Sequence, residues 1–232
     1  MRRPTKNQKK AAEVHDGTKI LTLNRAITVV KSISYTRFDA SVDLAIRLGV
    51  DPKKSDQIVR GTAMLPHGNG KKQVILVLCT AEQEEEARQA GADYVGLDEY
   101  LKKIEGGWTD FDSIVTVPSV MAKVGRLGKI LGPRGLMPNP KTGTVTPDVG
   151  KAVASIRSGK IEFKTDKYGI VHAGVGRCSF SDAHLQDNIK ELVDSVVRLK
   201  PTTSKGTYIK TISLSSTMSP GITIDRDSIA TS

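Results

Sequence analysis

The chain has 232 residues, enough for one large domain or two modest ones, and 38% of them are hydrophobic, enough for an apolar core. Aromatic residues make up only 4%, so the core is predicted to be aliphatic, and a charged fraction of 26% excludes wholesale disorder. The formal net charge of +10 suits a polyanionic partner, and RNA, DNA or an anionic membrane qualify on charge alone.

The sequence shows no sign of secretion, membrane insertion or a disulfide framework. Its basic first residues lack the apolar segment of a signal peptide, and no run of about 18 apolar residues occurs. Cys79 and Cys178 lie far apart and form no CxxC or Cys/His pattern, so neither a zinc site nor a disulfide is predicted. We therefore expect a cytoplasmic protein with no membrane partner.

The chain begins with a basic segment, a short helix and a clear strand. Residues 2–10 are predicted to form a mobile arm or a first exposed helix, and Thr22 or Asn24 can cap the next helix. Apolar and polar side chains then alternate strictly over residues 40–49, which predicts a strand with one buried face and one face open to water or a ligand. The apolar positions are Val42, Leu44, Ile46 and Leu48, and the open face carries Ser41, Asp43, Ala45 and Arg47. A turn at Asp51-Pro52 predicts that residues 58–65 return as the partner strand.

The character of the sequence changes at residues 65–72, where glycines and a proline predict a hinge. Strands are predicted at 74–79, 93–96 and 113–117, and continuous apolar runs in the first and last are typical of strands covered on both faces. Helices are predicted after them at 82–90, 99–104 and 119–131, with starts at Thr80, Asp98 and Pro118. Residues 68–159 are therefore predicted to form a βαβαβα unit.

The open-faced pattern returns after residue 160. Two alternating strands at 160–176 are joined at 166–169, and further strands are predicted at 207–218 and 221–224. Ser181 caps an amphipathic helix whose apolar side is predicted to hold Leu185, Ile189, Leu192, Val193, Val196 and Val197.

The predicted fold class is therefore α/β, with two domains. The outer one, residues 1–67 and 160–232, is an α+β domain with an antiparallel-rich, open-faced sheet and packed helices. The inserted one, residues 68–159, is a three-layer α/β, Rossmann-like domain.

No pattern in the chain indicates catalysis, a metal or a cofactor. The histidines form no metal motif, and Glu84–Glu86 are a charge run typical of a solvated helix face. The P-loop pattern GxxxxGK[ST] is absent, and GVGRCS at 174–179 lacks the third glycine of a dinucleotide site. A nucleotide-using enzyme built on the inserted domain is the alternative hypothesis, and its ligand would bind at the carboxyl ends of the strands.

Two stretches have unusual compositions. GRLGKILGPRGLMPNPKTGTV at 125–145 carries Lys129, Arg134 and Lys141 among glycines and prolines. It is either a phosphate-contacting loop or a structural loop whose glycines supply positive φ angles, and spacing alone favours neither. SLSSTMSPG at 213–221 surrounds Met218 with hydroxyl side chains, which can bind ribose and phosphate or form a polar strand edge. Arg37 and Phe38 precede the open-faced strand, where an exposed aromatic can stack on a base.

These segments together resemble the ribosomal protein L-one family, the stalk protein of the large ribosomal subunit, in its bacterial type. The resemblance covers nearly the whole chain and is carried, in order, by RFDASVDLAIRLGVDPKKSDQIVRGTAMLPHG, AGADYVG, the stretch at 125–145, GKIEFKTDKYGIVHAGVG and STMSP. It implies two domains, the first built from both chain termini and bound to large-subunit ribosomal RNA at the base of the mobile stalk. It also implies a role in releasing tRNA from the exit site and, in bacterial members, repression of translation through their own operon mRNA.

Carried over by position, the RNA-binding face of the family falls on Arg37, Phe38, Ser41, Lys167, His172, Thr211, Thr217, Met218 and Ser219. This chain departs from bacterial relatives at Ala40, where an acid is common, at Ser41, where threonine is common, and at Ser219, where glycine is usual. A glycine at 219 would let the RNA backbone approach closely, so the Cβ of Ser219 predicts a small shift of that contact. Lys129, Arg134 and Lys141 are a candidate secondary RNA contact.

The sequence therefore predicts a structural ribosomal protein that is not an enzyme, needs no cofactor and is monomeric outside the ribosome. Its expected partners are large-subunit ribosomal RNA, exit-site tRNA and operon mRNA. A DNA-binding protein is a weaker alternative, which preference for RNA over DNA of the same sequence would exclude.

Overall fold

The structure, a computed structural model, describes residues 5–15 and 19–229. It divides into an outer unit, built from both ends of the chain with boundaries after Lys71 and before Gly159, and an inner unit of Lys72–Ser158. Residues 68–71 lie with the outer unit, beyond the boundary that the hinge sequence predicts. The Asn188 side-chain amide holds them there by donating to the Gly68 carbonyl at 2.8 Å.

The described α-helices are α1 (Lys6–Val14), α2 (Leu23–Ile33), α3 (Ala81–Gln89), α4 (Asp98–Glu105), α5 (Met121–Gly125), α6 (Gly128–Leu131), α7 (Val149–Arg157) and α8 (Asp182–Arg198). The described strands are β1 (Ser41–Leu48), β2 (Arg60–Met64), β3 (Ile75–Leu78), β4 (Tyr94–Gly96), β5 (Ser113–Thr116), β6 (Lys160–Lys164), β7 (Ile170–Arg177), β8 (Ile209–Ser216) and β9 (Ile222–Ile224). Single 3-10 turns lie at Ser55–Gln57, Pro118–Val120 and Pro140–Thr142.

The basic start of the chain forms helix α1 from Lys6 onwards, while Arg2 and Arg3 lie outside the described residues. Thr5 begins the helix with a reciprocal pair of bonds: its hydroxyl accepts the Gln8 amide, and the Gln8 side chain accepts the Thr5 amide. Ala11 is the buried residue of α1, so the lysines of this helix are exposed. Of the two predictions for this segment, the exposed helix is the one observed over these residues.

The outer unit is built on a four-stranded antiparallel sheet in the order β7-β1-β8-β9. The predicted alternation of β1 is confirmed, because its four apolar side chains, Val42, Leu44, Ile46 and Leu48, are at most 2% exposed. They share one hydrophobic core with apolar residues of α2 and α8. The polar residues of β1 consequently lie on the opposite face of the sheet.

The partner predicted for β1 is wrong. Strand β2 forms within the predicted range, but it pairs with β6 in a separate two-stranded sheet, with Arg60 opposite Lys164. Both edges of β1 are already occupied, one by β7 and one by β8. The turn at Asp51-Pro52 governs only local chain direction, and it does not decide which distant strand fills each edge.

Helix α8 begins as predicted, because the Ser181 hydroxyl accepts the His184 amide at 3.2 Å. Leu185, Ile189, Leu192, Val193 and Val196 are buried. Val197 is 46% exposed, so its prediction as part of the apolar side is wrong. Val197 lies four residues after buried Val193 and is the second-last residue of the helix, so the buried stripe ends before the last turn is complete.

The inner unit is a three-stranded parallel sheet in the order β4-β3-β5, covered on both faces by helices. Residues of α3 and α7 pack on one face, and residues of α4, α5 and α6 on the other. The three-layer α/β prediction is thereby confirmed. Two details differ: Asp98 is the first residue of α4 rather than its cap, and the helix predicted at 119–131 is broken into a 3-10 turn, α5 and α6. Gly125 and Gly128 weaken a continuous helix there.

Both cysteines are free thiols, and Cys79 is buried in the inner unit as predicted. Within residues 5–15 and 19–229, none of the helices has the length and apolar character that a transmembrane span requires.

Candidate functional site

The open face of the outer sheet is a polar surface three strands wide. On β1, Asp43 lies opposite Ser215 of β8, and Ala45 lies between His172 of β7 and Ser213 of β8. At the far end, Arg47 lies opposite Thr211. Because residues directly opposite in an antiparallel pair project to the same face, these hydroxyls and cations form one continuous surface.

A tight turn follows β8 at one end of this face. Met218 has φ +68°, the left-handed region, and it is the one non-glycine residue with positive φ in the described part of the chain. Its side chain is 72% exposed. A side chain in this region strains the backbone and destabilises the fold locally, and such strain is concentrated at functional sites.

Ser219, at a position where the resemblance predicts glycine, is part of that turn. Its hydroxyl accepts the Ser216 amide at 2.8 Å and lies 3.1 Å from the Ser216 carbonyl, to which it donates. The Ser219 amide also donates to that carbonyl, at 3.0 Å. The hydroxyl therefore folds back onto its own turn and adds to the bonds that shape it.

The loop between α2 and β1 lies beside the Met218 turn. The Tyr35 hydroxyl donates to the Met218 carbonyl at 2.9 Å. The Ser41 amide donates to the Thr217 hydroxyl at 3.2 Å, and the Thr217 amide donates to the Ser41 carbonyl at 3.1 Å. Phe38, in the same loop, is 62% exposed. The structure thus brings six of the nine predicted residues to one end of the face: Arg37, Phe38, Ser41, Thr217, Met218 and Ser219.

Lys167, His172 and Thr211 lie further along the face. Lys167 is exposed in the turn between β6 and β7, where the Asp166 carboxylate accepts the amides of Tyr168 and Ile170 at 2.8 Å each. The other Asp166 oxygen lies 3.5 Å from His172 Nε2. The Ile170 amide foremost, then the Tyr168 amide and His172, hold the pKa of Asp166 below its ordinary value. Six residues separate Ser41 from Arg47, which is about 20 Å of strand, so the predicted residues line a track rather than a single pocket.

Asp43 lies in the middle of that track. The alternation of β1 predicts its place on the open face, but it is not among the predicted site residues. Partial burial raises the pKa of its carboxyl, while the charges of Arg177 and His172 act to lower it. Arg177, Tyr35 and Tyr168 also belong to this region, and sequence reasoning missed them. Their positions depend on pairing with distant segments, so no local signal could have found them.

Lys129, Arg134 and Lys141 belong to the inner unit, and all three are exposed. Gly135 and Gly143 have φ of +73° and +69°, so the structural role considered for these glycines is observed. The loop is also tied internally, because the Asn139 amide donates to the Thr144 hydroxyl at 2.8 Å and the Asn139 side chain accepts the Lys141 amide at 2.8 Å. Arg134 and Lys141 therefore lie in an irregular loop that is tied internally, whereas Lys129 lies in helix α6.

The described residues contain no cluster of three or more His, Cys, Asp or Glu side chains suited to a metal ion. Residues 174–177 of the GVGRCS segment lie inside β7 rather than after it, so the segment is not a strand-to-helix phosphate loop.

Residues 30–220 match the model of the "Ribosomal protein L1p/L10e family". The chain is 62% identical over 225 residues to the large ribosomal subunit protein uL1 of Amoebophilus asiaticus (strain 5a2), with 97% of each chain covered. It is 59% identical over 225 residues to the protein of that name from Bacteroides thetaiotaomicron, again with 97% of each covered. With the uL1 protein of Parabacteroides distasonis the identity is 57% over 229 residues and 99% of each chain.

Proposed function

The chain belongs to the ribosomal protein L1p/L10e family, and from this premise we propose that the open face of its outer unit binds large-subunit ribosomal RNA. It is a structural protein of the large ribosomal subunit and not an enzyme, and its relatives support a cytoplasmic location on the ribosome. The observation that carries the RNA proposal is that exposed Phe38 and exposed Met218 lie in two hydrogen-bonded segments at the end of a hydroxyl-lined, cation-bearing sheet face.

The face offers two kinds of contact with RNA. Arg37, Arg47 and Lys167 are exposed cations along the track and can neutralise phosphates, which supplies affinity without sequence information. The Phe38 ring can stack on an unpaired base, and the hydroxyls of Thr211 and Thr217 can bond to ribose 2′-OH groups. A rigid surface of this kind recognises the shape of a folded RNA rather than a run of base edges.

We further propose that the protein forms the base of the mobile stalk and assists release of tRNA from the exit site. The exposed Lys129, Arg134 and Lys141 of the inner unit are the candidate secondary contact for RNA, including tRNA. Binding of its own operon mRNA by the same outer face would make the free protein a translational repressor, because ribosomal RNA and messenger would then compete for one site.

The RNA-binding proposal is tested by replacing Phe38, Thr217 and Met218 with alanine, singly and together. A transcript of the stalk-base ribosomal RNA and one of the operon mRNA leader serve as probes in filter binding at fixed salt. We expect each single change to weaken both complexes about 10-fold, in line with alanine replacement of a stacking aromatic. Met64→Ala is the matched control, since Met64 is 46% exposed but lies on β2, in the separate sheet. Unchanged affinity in all three variants would contradict the assignment of this face as the RNA-binding site.

Deleting the inner unit tests which unit carries the contact. Residues 72–158 can be replaced by a short linker, because the Leu65 amide donates to the Gly159 carbonyl at 3.2 Å, which holds the start of the second outer segment beside the first, six residues before Lys71. The core of the outer unit is formed by its own residues. We expect most of the affinity for ribosomal RNA to remain, whereas loss of binding by a folded outer unit would assign the contact to the inner unit.

A further inference from the structure

Asp39, next to the exposed Phe38, is hydrogen-bonded to Ser179, which follows the end of β7 in the chain. Its carboxylate accepts two hydrogen bonds from Ser179, one from the backbone amide at 3.0 Å and one from the hydroxyl at 2.7 Å. Bonds to an ionised acceptor are shorter and stronger than neutral ones. This pair joins the loop before β1 to the segment after β7, although the two are far apart in sequence.

The same distant segment also holds the backbone of the loop. The Arg177 guanidinium donates to the Asp39 carbonyl at 3.1 Å and to the Ser41 hydroxyl at 3.2 Å. The Cys178 amide donates to the Ala40 carbonyl at 2.9 Å. Within the loop, the Thr36 hydroxyl donates to the Phe38 carbonyl at 3.1 Å. Three consecutive carbonyls, those of residues 38–40, are therefore each fixed by a donor.

Phe38 itself contrasts with this backbone, since its ring is 62% exposed. An apolar ring presented to water on a backbone whose carbonyls are held by donors loses little conformational freedom when a partner covers it. A free loop would have to be ordered on binding, and that cost would be subtracted from the affinity.

We propose that Asp39, Ser179 and Arg177, here called the Asp39 cluster, are positioning residues that hold the Phe38 loop in its RNA-binding conformation before RNA arrives. The inference rests on the proposed function, because it takes Phe38 as a side chain that contacts RNA. Their hydrogen bonds to one another and to the loop are sufficient for this role, so none of the three residues needs to contact the RNA.

The negative charge of Asp39, considered alone, predicts the opposite change in RNA affinity. The direction of that change therefore distinguishes the two explanations. Asp39 is exposed beside a surface proposed to bind a polyanion, so removing its charge would by itself relieve repulsion and tighten binding. Positioning requires that Asp39→Ala weaken binding instead, by about 10-fold, the scale on which ordering a loop and its side chains affects affinity.

The experiment is a double-mutant cycle between Phe38→Ala and Asp39→Ala in the full chain, with the stalk-base ribosomal RNA transcript as probe. We expect Asp39→Ala to weaken binding about 10-fold when Phe38 is present and less than about 2-fold when residue 38 is alanine. Ser179→Ala should weaken binding less than Asp39→Ala, and Ser179→Thr, which keeps the hydroxyl, should restore it. Asp187→Asn removes a carboxylate that pairs with His67 at 3.2 Å, and as a charge control it should not weaken binding.

Several results would overturn the proposal. One is tighter or unchanged binding by Asp39→Ala, and another is an equal loss with and without Phe38, which would mean general damage to the fold. If Asp39→Ala melts below the assay temperature, Ser179→Ala replaces it in the same cycle. If Phe38→Ala alone has no effect, the positioning role fails, and the site fails with it only if the Thr217 and Met218 variants are also unchanged; a failure confined to the Asp39 variants leaves the site standing.

Discussion

Replacing Met218 by glycine should stabilise the fold and weaken RNA binding at the same time. Met218 has φ +68°, and a side chain in this region costs about 1–2 kcal/mol relative to the right-handed conformation. Glycine removes that cost but adds about 0.5–1 kcal/mol of backbone entropy to be lost on folding. The net gain in the free energy of unfolding is therefore about 0.5–1 kcal/mol.

Met218→Ala is the control, because it removes the same side chain but keeps the Cβ. The glycine variant should be more stable than the alanine variant by about 0.5–1 kcal/mol, which for a domain of this size is a rise in Tm of about 1–4 °C. Thermal unfolding followed by circular dichroism measures the difference.

Both variants should lose affinity for RNA by the same factor. The Met218 side chain is 72% exposed in the free protein, and covering it is worth about 1–2 kcal/mol, or about 10-fold in Kd. Filter binding at fixed salt tests this. If the glycine variant melts below the alanine variant, residue 218 is not strained. If it binds RNA as tightly as the unaltered chain, the thioether does not contact RNA.

Two further predictions concern charge. Arg37→Ala should reduce the slope of log K against log salt by about one, while Phe38→Ala should lower affinity without changing the slope; equal slopes would remove Arg37 from the phosphate contacts. Asp166→Ala should destabilise the protein at neutral pH, because the pKa of Asp166 is lower in the folded state than in the unfolded state. The ionised carboxylate stabilises the fold fully above the unfolded-state pKa, and this stabilisation is lost as the pH falls through the folded-state pKa. Melting curves should therefore converge below about pH 4, and a difference that persists undiminished at about pH 2 would contradict the assignment.

Much of the architecture follows from local patterns in the sequence. The alternation in β1 and the continuous apolar run in β3 identify a half-covered and a fully covered strand, and the structure has both. Ser181 marks the start of α8 because a hydroxyl at that position satisfies a free amide. These features depend on residues within a few positions of one another.

Features that depend on long-range pairing could not be predicted in this way. No rule of turn chemistry shows that β2 pairs with β6, or that a register shift between Val42 and Asp43 offsets the end of β1 against β7. The left-handed backbone of Met218 is equally unpredictable, since methionine rarely adopts it. The composition of the candidate site, hydroxyls with an aromatic and cations, could be read from the sequence. The bond between Tyr35 and Met218 that joins its two halves could not.

The order of strands in the outer sheet has a consequence for synthesis of the protein. Strand β1 leaves the ribosome early, but its partners are residues 170–177 and 209–216, so both of its edges wait unpaired while the inner unit is made. The strands of the inner unit all lie within residues 75–116 and can pair as this unit emerges, whereas the outer sheet needs contacts of larger sequence separation. A nascent or truncated chain therefore lacks the proposed RNA-binding face, which exists only once translation is nearly finished.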